Sequence, residues 1–220
     1  MTFKTLLLGA AAFGAMIAAP AQAAQGDVLV RLRGIMVAPN EKSGSVLPAF
    51  PGEKVAIDNA VAPEIDFTYF ATNNIAFELI AATTKHSASG VTGTTKAVGK
   101  LASTWVLPPT LTAQYHFMPD AKVRPYVGAG VNYTLFYSED ASKSLEGAVG
   151  KTKVNMKSSF GWAAQAGVDI DLNEKIFLNI DVKYIDIDTT ARLATTAAGV
   201  QKVKVDIDPF VFGIGLGMRF

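Results

Sequence analysis

The 220-residue chain contains no cysteine, which excludes a disulfide scaffold, a thiolate metal site and a cysteine nucleophile together. It has only two histidines, His86 and His116, and no basic excess, with 20 Lys and Arg against 19 Asp and Glu. Nucleic acid is therefore not an expected partner. After residue 23 it also lacks any apolar run approaching the roughly 20 residues that a transmembrane helix needs. The longest uncharged stretch, residues 101–119, is interrupted by Pro108 and Pro109 and carries several Thr, Gln114 and His116. What the chain does have is apolar residues, half of the total, which is too many for a disordered polymer.

The first of these apolar residues are an export signal. Lys4 supplies the positive start, residues 6–19 an apolar run, Pro20 a break, and Ala21-Gln22-Ala23 the small-x-small site of a signal peptidase. Cleavage is expected after Ala23. A membrane anchor is the competing reading, and the run is too short for it. With no helix to cross a bilayer, the exported chain of residues 24–220 belongs in the periplasm, outside the cell, or in the outer membrane as a β-barrel.

Eight segments alternate with a period of two, the mark of strands with one apolar face. They run near 28–37, 64–69, 75–82, 107–117, 123–135, 161–170, 176–184 and 210–220. In the first, Val28, Val30, Leu32 and Met36 alternate with positions that include Arg31 and Arg33; in the last, Phe210, Phe212, Ile214, Leu216, Met218 and Phe220 alternate with Val211, three glycines and Arg219. The connectors alternate too. Those at 71–74, 118–122 and 171–175 are short and rich in turn residues, whereas 38–63, 84–104, 138–158 and 189–203 are long and read as polar loops. This predicts an all-β, eight-stranded antiparallel up-and-down transmembrane barrel with four long extracellular loops and three short periplasmic turns.

A soluble barrel would turn its apolar faces inward. Here the opposite face carries Gly128, Gly130, Gly161, Gly167, Gly213, Gly215 and Gly217, which suit the crowded inside of a small barrel. Aromatics also gather near both strand ends. Tyr69, Tyr115, Phe117 and Phe220 lie by the short turns, and Trp105, Tyr133, Trp162 and Tyr184 towards the long loops, as in the two interfacial girdles of a membrane barrel.

The strings NIAFELIAAT (74–83), LPPTLTAQY (107–115), RPYVGAGVNY (124–133), YIDIDTTA (184–191) and DPF (208–210), with the ending GMRF, resemble the OmpW family of outer-membrane proteins. The resemblance spans essentially the whole of residues 24–220. It implies an eight-stranded barrel and, in that family, a proposed role in passive passage of small hydrophobic molecules. It also implies that the terminal Phe220 is read by the outer-membrane assembly machinery.

Given strand directions, each inward residue has a height. The lower and middle lumen holds Arg31, Arg33, Glu78, Gln114, His116, Arg124, Asp169, Asn179, Asp181, Lys183 and Arg219, expected to pair and plug the periplasmic end. The upper lumen holds Ile35, Val37, Ile80, Ala82, Val106, Pro108, Phe136 and Ile185, expected to line a space for a small apolar ligand. Glu64 and Asp66 are polar exceptions there. Ile187, Ile207 and Val211 depend on the register at Pro209. Because proline has no ladder N–H, Pro108 and Pro109 mark an expected lateral opening towards the outer leaflet.

Weaker signals point elsewhere. His86 reads as a loop residue, and no inward serine accompanies His116, so an enzyme is disfavoured. Asp186, Asp188, Asp206 and Asp208 could attract Ca²⁺, although solvated rim charge is the simpler reading. No metal or cofactor is expected. Lys143, Lys151, Lys153 and Lys157 suit anionic lipid headgroups, including lipopolysaccharide. The alternative function is an interaction barrel whose loops bind partners in adhesion or as a phage or bacteriocin receptor.

Overall fold

The computed structural model describes residues 24–220; the signal segment and its expected cleavage after Ala23 lie outside the described residues. The chain begins with β1 (Val28–Ala38), β2 (Lys42–Ser43), β3 (Val55–Ile57), β4 (Ala60–Phe70), β5 (Ile75–Ala82) and β6 (Thr84–Gly90). Next come α1 (Gly93–Val98), β7 (Lys100–Leu107), β8 (Thr110–His116), β9 (Val123–Ala141) and α2 (Lys143–Val149). It ends with β10 (Thr152–Met156), β11 (Ser159–Asp171), β12 (Ile176–Ile185), β13 (Asp188–Thr195), β14 (Gly199–Asp206) and β15 (Phe210–Arg219).

The staves β1, β4, β5, β8, β9, β11, β12 and β15 pair antiparallel in that order, and β15 returns to β1. The result is a closed eight-stranded barrel. Alternation decides which face is which: Leu32 is 63% and Ile214 57% exposed, while Arg31 and Arg33 are 0% and 1% exposed. An outer surface of Leu, Ile, Val and Phe around charged residues is inverted for water and correct for hydrocarbon. The aromatic ends follow. Trp162 packs on Tyr184 at 5.1 Å and Tyr184 on Phe210 at 5.4 Å at one end; Tyr115 meets Phe117 at 5.2 Å at the other.

The short turns close one end of the barrel. Asn173 Oδ1 accepts from the backbone N–H groups of Lys175 and Ile176, both at 2.9 Å, and Thr72 Oγ1 accepts from Ile75 N–H at 2.9 Å. Both described chain ends meet there, since Val28 and Phe220 exchange backbone hydrogen bonds of 3.0 and 2.9 Å. Inside, the wall tolerates no extra bulk at some points. A Cβ built on Gly130 would fall on the Leu111 carbonyl, and one on Gly215 on the Leu32 carbonyl.

The long connectors correct the sequence reading of polar loops. Residues 84–104 form β6, α1 and much of β7, β9 runs on to Ala141, and β10, β13, β14 and β2 make a four-stranded sheet. The reason is that these segments alternate as well: Gln201, Val203 and Val205 are buried while Lys202 and Lys204 are exposed. The 19 residues of β9 rise roughly 45–50 Å at a tilt near 40°. A lipid-facing band is about 25 Å tall. The wall therefore continues well beyond it.

Candidate functional site: the lumen

The lumen is layered. At the short-turn end Leu29, Phe70, Ala76 and Phe177 form a small buried apolar floor. The guanidinium groups of Arg31 and Arg124 lie 5.5 and 5.7 Å from the centre of the Phe177 ring. His116 packs 4.7 Å from Phe70 and 5.0 Å from Tyr126, with Nε2 3.0 Å from Gln114 Oε1.

Above the floor lies an ionic layer. Arg31 reaches Asp169 and Glu78 at 2.9 and 3.1 Å. Glu78 Oε2 also accepts from the Gln114 and Gln165 amides at 2.7 and 2.8 Å. Arg33 lies 2.9 Å from Glu64 and 2.7 Å from Asp66, and donates to Asn179 at 3.0 Å. Lys183 donates to Glu64 at 2.8 Å and to Asp181 at 2.9 Å, and the Tyr126 hydroxyl donates to Asp181 at 3.0 Å. Each of these charges is buried, and each has a partner of opposite sign, which is what allows burial at all. Arg124 stands apart at the rim, paired with Asp171, which Arg219 also approaches at 3.5 Å.

Of the residues singled out for the lower lumen, Arg31, Arg33, Glu78, Gln114, His116, Asp181 and Lys183 thus share connected contacts across the barrel. Glu64 and Asp66, read as exceptions in the upper lumen, join the ionic layer through Arg33. Tyr126, Gln165, Phe177, Leu29 and Phe70 were not picked out. Tyr126 has the parity of Arg124, and Phe177 that of Asn179, so the signal was present. Aromatics in a membrane barrel ordinarily face lipid, which hides that parity.

Above the ionic layer is an apolar cavity of about 1220 Å³ of atom-free space, its mouth included. Its bore is narrow, about 110 Å³ as a cavity volume. All eight residues proposed for the upper lumen border it, as do Ile187, Ile207 and Val211. Val55, Leu101, Val154, Leu193 and Val203, from the segments read as loops, complete the walls. His86 also borders it, in β6 and not in a loop. The ring lies 2.9 Å from the Asp58 carbonyl and 3.0 Å from Thr84 Oγ1, so both nitrogens are engaged.

Pro108 and Pro109 sit between β7 and β8. On the β9 side the wall holds: Tyr133 N–H donates to the Pro109 carbonyl at 3.1 Å, and Asn132 Nδ2 to the Pro108 carbonyl at 3.2 Å. On the other side the last pair of β5 with β8 is Ile80 with Thr110, and the next, of β6 with β7, is Thr84 with Val106. Residues 81–83 and 107–109 between them form no ladder pairs. The break in the ladder is thus confined to one side of the prolines. Carbonyl acceptance needs no N–H, so the prolines interrupt only the edge where a donor was required.

At the outer rim Asp188 lies opposite Asp206, with Lys204 Nζ 3.1 Å from Asp206. Burial first, and then the hydrogen bond with Asp206, hold the Asp188 carboxyl above its ordinary range. Among the described residues no group of three or more His, Asp or Glu side chains could hold a metal ion.

The profile of the OmpW family matches residues 24–220. Outer membrane protein W of Escherichia coli (strain K12) is 37% identical, over 99% of this chain and 100% of its own length. Outer membrane protein AlkL of Ectopseudomonas oleovorans is 28% identical, over 97% and 92%. The crystal structure of the outer membrane protein OprG from Pseudomonas aeruginosa superposes with a TM-score of 0.86 at 32% identity, covering 92% of this chain and 99% of that one.

Proposed function

The chain belongs to the OmpW family and forms a Gram-negative outer-membrane barrel, and from that premise we propose that it mediates passive passage of small hydrophobic molecules. The observation that carries this reading is the apolar cavity stacked directly on the buried ionic layer. A cavity whose walls are aliphatic favours an apolar solute over water. The ionic layer below opposes its further descent, because a hydrocarbon there would have to separate paired charges.

With the periplasmic end plugged, the solute leaves sideways. Support comes from the missing ladder pairs between 81–83 and 107–109, a gap spanned by the Thr83 hydroxyl donating to the Val106 carbonyl at 3.3 Å, since Ile80, Ala82, Val106 and Pro108 beside it also border the cavity. The exit then opens at the level of the outer leaflet. We further assign anionic lipid and lipopolysaccharide as neighbours of the exposed Lys202, Lys204 and Arg192 on the outer face of β13 and β14, and the assembly machinery as the reader of Phe220.

The test is uptake of a graded alkane series into cells lacking the gene and into the same cells complemented. Complementation is expected to speed uptake of the apolar compounds and to leave small ions unaffected. Equal uptake in both strains, with adhesion altered instead, would favour a barrel whose loops serve interaction.

A further inference from the structure

The cavity has a defined polar end. Among the described residues that border it, Glu64 supplies the one carboxylate. The side chain is only 3% exposed, so what remains accessible faces the cavity. Its two cationic partners both meet the same oxygen, Arg33 Nε at 2.9 Å and Lys183 Nζ at 2.8 Å from Oε1. Among the described residues no hydrogen bond reaches Oε2. A cavity-facing carboxylate oxygen that receives no hydrogen bond from the protein is an acceptor in waiting.

We propose that Glu64 Oε2 binds the hydroxyl of a straight-chain primary alcohol, which stands upright in the cavity with its alkyl chain towards the mouth. The argument is one of elimination by charge and shape. An alkane leaves the acceptor unsatisfied. A carboxylate brings a second negative charge against Glu64, beside Asp66 and Asp181 in the same layer. An ammonium group would meet Arg33 and Lys183, which already crowd Oε1. A hydroxyl donates one charge-assisted hydrogen bond and adds no charge to an apolar chamber. The narrow bore suits one unbranched chain. This rests on the passage reading above and names the class of solute that the passage prefers.

The experiment uses the folded barrel in lipid nanodiscs, titrated with decane, 1-decanol, decylamine and decanoate. Backbone NMR shifts of Ala82 and Thr84, both at the cavity wall, report binding, with each concentration corrected for partition into lipid. Decanol is expected to bind roughly tenfold more tightly than decane, the size of a hydrogen bond to a charged acceptor, and more tightly than decylamine or decanoate. Glu64→Gln should lower the preference for decanol over decane and raise relative binding of decanoate. Equal binding of decanol and decane, or an unchanged preference in folded Glu64→Gln, would overturn the proposal while leaving the passage reading intact. Failure of all four compounds to bind would overturn both. Should Glu64→Gln not fold, the series on the unaltered protein decides alone.

Discussion

Arg31 crosses the lumen from β1 to β11 and forks onto Asp169, with Nη2 2.9 Å from Oδ2 and Nε 3.3 Å from Oδ1. Both side chains are fully buried. Truncating one partner strands the other charge, so Asp169→Ala is expected to destabilise the barrel by about 3–5 kcal/mol. Replacing both, as Arg31→Met with Asp169→Leu, should cost less than the single change. Equilibrium urea unfolding from lipid vesicles measures the difference.

Glu78 joins β5 to three other staves, through Arg31, Gln114 and Gln165. In planar bilayers the unaltered protein is expected to pass no large steady ion current. Glu78→Ala should produce resolvable steps, because it removes a shared acceptor and frees volume within the ionic layer. Large currents from the unaltered protein would contradict the plug.

Restoring backbone donors in the doubly substituted Pro108→Ala, Pro109→Ala protein is expected to close the ladder beside residues 81–83. Hydrophobic uptake should then slow, while the heat-modifiable gel shift of a folded barrel persists. Unchanged uptake in a folded variant would remove the lateral route.

Gly130→Ala and Gly215→Ala should each impair folding by about 1–3 kcal/mol, since the added methyl meets backbone that cannot swing aside. Gly34→Ala, with open space around its Cβ, serves as the neutral comparison. Gel-shift folding yields rank the three.

The loop residue Glu53 accepts backbone N–H bonds from Thr95 and Thr94 at 2.6 and 2.9 Å, and these hold its carboxyl below the ordinary glutamate range. Its contribution is therefore present above the unfolded pKa and lost as pH falls through the depressed folded value. Protection factors at Thr94 and Thr95, with exchange corrected for its intrinsic pH dependence, should fall on acidification, and in Glu53→Ala they should be low at every pH.

The barrel was legible in the sequence because a period of two leaves little freedom. Once Leu32 faces lipid, Arg31 and Arg33 must face inward, and the same logic fixes Glu78, Gln114 and Lys183. The partners were less legible. Which carboxylate Arg31 meets depends on the stagger of strands that are distant in sequence, and no local pattern encodes it. Tyr126 and Phe177 went unnoticed because an aromatic on the inward parity contradicts the average behaviour of aromatics in membrane barrels. The extended upper wall was missed for another reason. β6, β7 and β13 are rich in Thr, Ala and Ser with a single Lys or Arg each (Lys85, Lys100 and Arg192), a contrast too faint to announce a strand until pairing is seen.

If hydrophobic solutes pass as proposed, the height of that wall bears on how they arrive. A compound arriving from the surroundings meets the hydrated sugar coat of the cell before it meets any acyl chain, and partition into that coat is unfavourable. On the passage reading proposed above, aliphatic side chains such as Val154 and Leu193, high on that wall, would let the dry route begin before the bilayer surface and spare the solute part of that transfer.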